Sequence, residues 1–385
     1  MHIWLIFILL SILSLPLGNT LPFKSLKPIT IPLKKSNANK LFARDNPPTV
    51  NEPLTDDFHR DDQYFCEITL GGQKFNVMVD TALGDLLIPS INCTSACDFK
   101  NKYNPHNDVS FGTKNKTFGY VYGNGLVEGI RGHTIMNIGG YAPGSRHLDL
   151  SPYQEFGLVS IFPNIFKFTE FDGILGLAIT NKFNPDESNF YNNIYFDYLS
   201  PLFTLKIGRE ADGTDSELTI GAVDQNKFIG EIVYTTTINN DYWILPIDDL
   251  IINGQSLGFQ NRTGKISSAY SSIVIPFDDA KLIYQHLPNV RDRDGKFIIP
   301  CDSIINIEIK INNTNWAIDH RDLIDVRQFN DIEICSGMIR GGITESDKEW
   351  ILGTTFLKNV YSVYNDYNHT IGLAKLNLTK LSAIH

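Results

Sequence analysis

Two stretches 187 residues apart carry the residues best placed for chemistry. Val77-Met78-Val79-Asp80-Thr81-Ala82-Leu83-Gly84-Asp85-Leu86-Leu87-Ile88-Pro89 aligns without a gap with Gly264-Lys265-Ile266-Ser267-Ser268-Ala269-Tyr270-Ser271-Ser272-Ile273-Val274-Ile275-Pro276. Each copy passes from strand-like residues through a polar turn into an apolar run that ends in Ile-Pro. The turn of the first copy offers a carboxylate, Asp80, beside Thr81; the second offers only hydroxyls, Ser267 and Ser268. A carboxylate in such a turn either activates water as a base or simply accepts the turn's backbone N–H groups. Ser267 is a poor candidate nucleophile, because no His or Asp is placed to activate it and no Gly-x-Ser-x-Gly elbow surrounds it. Asp85, on Asp80's own loop, and Asp278 and Asp279, a turn or more beyond Ser267, are the other nearby carboxylates. No Cys/His spacing suggests a metal site, and no cofactor is expected.

The elements that must carry these turns read as short β runs separated by Gly, Asn and Asp: Phe65–Leu70, Phe75–Val79, Leu86–Ile88, Glu231–Tyr234, Ile247–Ile252, Ile304–Ile311 and Val360–Tyr364. The pattern is all-β. The clearest helical stretch is Asp278–His286. A second repeated pair follows the first, Asp172-Gly173-Ile174-Leu175-Gly176-Leu177 and Trp350-Ile351-Leu352-Gly353-Thr354. So long a period indicates duplicated lobes rather than a solenoid. The expected division is a first lobe over 63–230 and a second over 231–385, with a ligand cleft between them.

The 385 residues are too many for one ordinary compact domain. Residues 1–20 open with an apolar run, Met1 to Leu17, too short to span a bilayer of roughly 30 Å as a helix. They read as a cleaved secretory signal, so the product is expected to be secreted or lumenal. Residues 21–44 hold six bases (Lys24, Lys27, Lys34, Lys35, Lys40, Arg44) and no acid, whereas the remainder carries 27 bases against 43 acids. A basic leader on an acidic body suits either a removable pro-segment held by charge or a free basic tail. The Pro- and Asp-rich stretch 45–62 reads as a linker, so 21–62 forms the expected pro-segment and linker. An acidic body argues against nucleic-acid binding. No membrane span is expected in the mature chain, and a monomer is expected. In an oxidising compartment Cys93–Cys97 and Cys301–Cys335 are the expected pairs. Cys66 is left over, either a buried free thiol or a site of intermolecular pairing. Sequons at Asn92, Asn115, Asn261, Asn312, Asn368 and Asn377 point to N-glycosylation.

Several segments, in order, resemble the pepsin-like aspartic protease family from about Tyr64 to Leu376. Tyr64–Gly71 looks like the family's first strand, and Phe75–Thr81 leads into its first catalytic loop. Tyr122-Gly123-Asn124-Gly125 is similar to its flap hairpin, with Tyr122 as the flap tyrosine and Gly123 and Gly125 beside it. Gln154–Leu158, Phe171–Leu177 and Trp350–Gly353 follow as in the family, and the two expected disulfides fall where the family places two of its own. The resemblance implies a bilobal, all-β fold of two related barrel-like lobes, with peptide substrate lying between them.

Family chemistry needs two carboxylates facing one water. Like charges about 3 Å apart cannot both ionise, so one serves as base and the other as acid, and the pair titrates as a unit. The base deprotonates the water while the acid protonates the peptide carbonyl. Here Asp80-Thr81 matches the first Asp-Thr, but the second aspartate maps to Ser267. The glycines that follow are Ala82 and Ala269, expected to impair the approach of the backbone N–H groups. Leu83 stands where a hydroxyl supports the first aspartate, Leu87 where a tryptophan steadies the flap tyrosine, and Thr354 where an aspartate is common. The resemblance therefore implies a secreted pseudoprotease whose cleft binds extended peptide or a protein partner. The alternatives are a working acid endopeptidase with an unusual centre and a glycoprotein scaffold.

Overall fold

The computed structural model describes residues 29–35, 63–140, 142, 153–179, 189–197, 202–209, 212, 214, 216–238, 241–329 and 332–378. The expected signal at 1–20, the linker at 45–62 and most of the basic leader lie outside them. The described chain is mostly strand, with α-helices at Phe190–Asp197, Phe277–Tyr284 and Thr354–Leu357.

The repeat in sequence is a repeat in topology. Gln73–Asp80 runs parallel to Gly173–Gly176, with Asp80 opposite Gly176. Leu86–Pro89 is antiparallel to Gly173–Gly176 and parallel to Gln154–Ile161. The second half copies this arrangement. Arg262–Ile266 runs parallel to Glu349–Leu352, while Ile273–Ile275 is antiparallel to that strand and parallel to Ile339–Gly341. The glycines of the second repeated pair explain themselves here. A Cβ on Gly176 would lie 2.4 Å from the Leu83 carbonyl oxygen, and one on Gly353 would lie 2.4 Å from that of Tyr270. Each loop thus folds back onto a glycine that lets two backbones touch.

The two halves share a six-stranded platform, ordered Phe228–Thr236, Thr370–Leu376, Val360–Asn365, Leu202–Lys206, Ser216–Ile220 and Ile29–Lys35. Its first strand spans the expected lobe boundary at 230. Trp243 is fully buried against Tyr191, Phe203 and Tyr364, with ring centroids 5.3–5.7 Å away. Its indole N–H donates to the Leu177 carbonyl at 2.8 Å, tying the second half to the first.

The leader departs from expectation. Ile29–Lys35 is a strand of the platform, paired with Ser216–Ile220 from Ile29↔Ile220 to Leu33↔Ser216, and it continues onto Tyr64–Leu70 at Lys34↔Phe65. Ile31 and Leu33, two residues apart and so on one face of the strand, enter the core. Backbone pairing and apolar burial hold this segment, so charge is not its main tether.

Other boundaries shift for local reasons. The single strand expected at Ile247–Ile252 is two strands in different sheets, Ile244–Ile247 and Asp249–Ile252, because the chain changes partner at Asp248. The strand expected from Ile304 begins at Ile307; Ile304 is exposed, and alternation starts only where Ile307, Ile309 and Ile311 turn inward. The helix runs from Phe277, behind Pro276, with Asp278 and Asp279 in its first turn, where the positive end of the helix dipole favours acids. Cys93–Cys97 and Cys301–Cys335 are bonded, with Cα atoms 6.0 and 5.1 Å apart. Cys66 is free and buried, and burial pushes its thiol up to about 12.

Candidate active site

The tips of the two repeated loops meet and grip each other. Thr81 Oγ1 donates to the Ile266 carbonyl at 3.0 Å and accepts the Ser268 N–H at 3.1 Å. Ser268 Oγ donates to the Val79 carbonyl at 2.7 Å and accepts the Thr81 N–H at 3.1 Å. Both side chains are buried, so these four bonds satisfy groups that water does not reach. Orphaning one such group costs about 1–3 kcal/mol.

The grip sets Asp80 beside Ser267, with Ser267 Oγ 3.5 Å from Asp80 Oδ1. Asp80 Oδ1 also accepts the Ala82 N–H at 2.8 Å, and Oδ2 accepts the Tyr122 hydroxyl at 2.7 Å. Burial raises the Asp80 pKa above the usual carboxylate range and outweighs these three donors. The Ala82 N–H points at the carboxylate, and Ala82 and Ala269 both line the cleft.

The other carboxylates near the loops are committed elsewhere. Asp85 is clamped by both terminal nitrogens of Arg131, at 2.6 and 3.0 Å, and by the Tyr120 hydroxyl at 2.7 Å. Asp279 is held by Arg262 at 2.7 and 2.8 Å and by the Trp350 indole at 2.8 Å. Asp278 is exposed on the helix. Thr354 is buried and donates to the Ser271 carbonyl. Leu83 and Leu87 are both buried, and neither has a polar atom to offer.

A cleft of about 720 Å³ opens over the centre, lined by residues of both halves, among them Asp80, Tyr122, Ser267, Tyr270, Lys265 and Ile343. The flap hairpin pairs Gly112–Tyr122 with Gly125–Thr134. Tyr122 and Gly123 face the cleft. Gly123 has φ 58° at the turn, a left-handed conformation that suits glycine. Gly125 does not line the cleft; it lies against Pro163, which leaves no room for a Cβ.

Sequence reasoning missed two groups. Tyr120 lies two residues before Tyr122 on the flap strand, so both aim at the first loop. The spacing was visible, but Arg131 and Asp85, its partners, come from separate elements. Lys265 lies 2.9 Å from Glu345, 3.2 Å from Glu349 and over the Tyr242 ring, an arrangement that depends on the chain returning to the cleft far along the sequence. Among the described residues, no three His, Cys, Asp or Glu side chains are grouped to hold a metal, and no helix is long and apolar enough to cross a membrane. Of the sequon asparagines, Asn92, Asn115, Asn261, Asn312 and Asn368 are exposed and Asn377 is half-buried. The Asn312 and Asn377 amides donate to the Tyr234 and Asn226 carbonyls.

Two duplicated lobes, a clasped pair of loops and a flap over an aspartate define a pepsin-like aspartic protease fold. The family model described as eukaryotic aspartyl protease matches residues 63–376, and the chain belongs to that family. It is 30% identical over 352 residues to cathepsin D of Dictyostelium discoideum, spanning 88% of each chain. It is 28% identical over 366 residues to a probable aspartic-type endopeptidase of Arthroderma benhamiae, spanning 90% of this chain and 68% of the relative. Chymosin of Camelus dromedarius is 28% identical over 337 residues, at 85% and 84% coverage.

Proposed function

We propose that this chain is a catalytically silent member of the family that binds extended polypeptide in the cleft between its lobes. The observation that carries this reading is the partner of Asp80. A serine hydroxyl stands where peptide hydrolysis needs a second carboxyl group, and Asp85 and Asp279 are held in ion pairs. Asp80 can serve as acid or base in turn, but one carboxyl group cannot deprotonate water and protonate the carbonyl in the same step. The cleft itself is retained, open and lined from both halves, and this favours a binding role over a bare scaffold. The apolar start of the chain, the sequons and the two disulfides support action in the secretory lumen or outside the cell, and a monomeric state suits a cleft completed within one chain.

The relatives' names favour a second reading, an acid endopeptidase, and one assay separates the two. The secreted protein is incubated with denatured protein substrate from pH 2 to 7, with and without a statine-type inhibitor, and peptide binding is followed by calorimetry. Binding without inhibitor-sensitive cleavage is the expected result. Strong cleavage that disappears on Asp80→Asn would establish the second reading instead.

A further inference from the structure

We propose that an N-linked glycan on Asn92 is seated in a second cavity of the first half, apart from the cleft, with its core N-acetylglucosamine units packed against the protein. The inference rests on the passage through the secretory lumen proposed above.

The cavity measures about 640 Å³, within the span of roughly 300–1,000 Å³ usual for small-ligand sites. It shares no lining residue with the cleft. Ile91, Phe111, Phe118 and Leu158 give it an apolar lining, and Thr117 and Glu128 add polar groups. It forms where the sheet is interrupted. The strand Gly125–Thr134 shifts register against Gln154–Ile161 between Glu128 and Gly129. Gly119 and Gly129, both in the lining, bring no side chain to fill the gap.

Three observations single out Asn92. First, Asn92 itself lines this cavity, whereas Asn115, Asn261, Asn312, Asn368 and Asn377 do not. Second, its side-chain amide makes no hydrogen bond among the described residues, whereas those of Asn312 and Asn377 donate to backbone carbonyls. Third, the backbone beneath it is fixed at every residue. The Ser90 and Thr94 N–H groups donate to the Val159 and Ser160 carbonyls, that of Ile91 to the Tyr103 carbonyl, and those of Asn92 and Cys93 to Ser90. The Cys93–Cys97 disulfide closes the segment. A sugar joined at Asn92 therefore starts beside the cavity from a rigid anchor, and seating it costs little further ordering.

The chemistry suits this occupant. An N-acetylglucosamine ring has an apolar face of C–H groups and a polar edge of hydroxyl and amide groups. The face would cover Ile91, which is 42% exposed, and take apolar surface out of water. The edge would donate to the Glu128 carboxylate, which has no ion pair or hydrogen bond among the described residues. The linkage comes by transfer from a lipid-linked oligosaccharide. Asn92 Nδ2 bonds C1 of the first sugar and gives up a proton, while the bond from C1 to the lipid diphosphate breaks and the diphosphate leaves.

The test uses the full-length protein secreted from a glycosylating host. Occupancy of each sequon is read by mass spectrometry of glycopeptides. The folded protein is then treated with an endoglycosidase that cuts between the two core sugars. The Asn92 glycan should be cut at least about tenfold more slowly than those at Asn115, Asn261 and Asn368, because it must first leave its seat. After denaturation the rates should be equal. Ile91→Ser with Glu128→Ala removes the apolar cover and the acceptor and should abolish the difference; a cooperative thermal transition reports that this variant is folded. Thr94→Ala deletes the sequon but keeps Asn92, and should lower the melting temperature by about 2–4 °C. Thr94→Ser, which keeps the sequon, and Asn368→Gln should leave it unchanged. Cutting at the common rate, protection that persists in the double variant, or a melting temperature untouched by Thr94→Ala overturns the seat. An empty Asn92 beside other occupied sequons overturns this inference alone. No glycan at any of the six sequons would overturn it together with the secretory reading.

Discussion

Asp80 and Ser267 differ by one functional group, and that difference decides the chemistry. Ser267→Asp would return a second carboxyl group, yet Leu83 would still offer Asp80 no hydroxyl and Leu87 would offer Tyr122 no indole. Positioning errors near 1 Å cost about 100-fold. Ser267→Asp alone is therefore expected to give at most about 1% of the acid peptidase activity of the combined variant Ala82→Gly, Leu83→Ser, Leu87→Trp, Ser267→Asp, Ala269→Gly. Equal activity in both would show that the neighbouring residues are neutral. Asp80 also leaves a thermodynamic signature. Its folded pKa is raised, so ionising it costs stability at pH values above that pKa, whereas below the unfolded value, near 4, both states are protonated and the cost vanishes. Asp80→Asn should thus raise the melting temperature relative to wild type at pH 7 by more than at pH 3. A difference that grew as the pH fell would contradict the burial argument.

At the scale of elements, the leader strand is the part whose attachment the charge pattern misjudged. Surface charge attraction is screened within about 10 Å at 0.1 M salt and about 3 Å at 1 M. A strand paired along Ser216–Ile220, with Ile31 and Leu33 in the core, does not depend on it. If the chain is nicked within the linker at 45–62, the leader fragment should stay bound through gel filtration in 1 M NaCl and separate only in denaturant. Release by salt alone would restore the charge-held picture. The loops show the converse: their clasp is made of short local bonds between Thr81 and Ser268, and so remains although the second carboxylate is gone.

For the whole molecule, an ion network joins the platform end to the second half. Arg209 Nη2 bonds Asp322 at 2.5 Å, and Arg321 reaches both Asp212 and Asp319 at 2.7 Å. Arg321 holds both Asp212 and Asp319 below the usual carboxylate range. Groups with depressed folded pKa values stabilise above their unfolded pKa, and that contribution is lost as pH falls through the folded value. Arg321→Ala should lower the melting temperature at pH 6, with the deficit shrinking towards pH 2. A deficit independent of pH would assign Arg321 a packing role instead. Arg321 is partly exposed, so solvent screening keeps the effect modest.

The gapless repeat at 187 residues, the Leu-Gly pairs and the short alternating strands made the two lobes and the paired loops legible in the sequence, because they express local backbone needs: a turn, a close approach, a period of two. The disulfide partners were legible from an oxidising compartment, from the closeness of each pair in sequence and from the family resemblance. The substitution at Ser267 was legible too, since the repeat itself names the position that should mirror Asp80. Tertiary structure alone decided what surrounds that position. Ala82 stands where the resemblance expects glycine, and its N–H bond to Asp80 and its place in the cleft lining come from the fold. The resemblance gives Tyr122 as the flap tyrosine, but its bond to Asp80 depends on how far a hairpin 42 residues away folds over the loop. The same holds for Arg131 on Asp85, Lys265 between two glutamates and the leader strand in the platform. Each is a meeting of segments distant in sequence, and which polar groups meet, and which are buried when they do, is set by packing rather than by any local pattern.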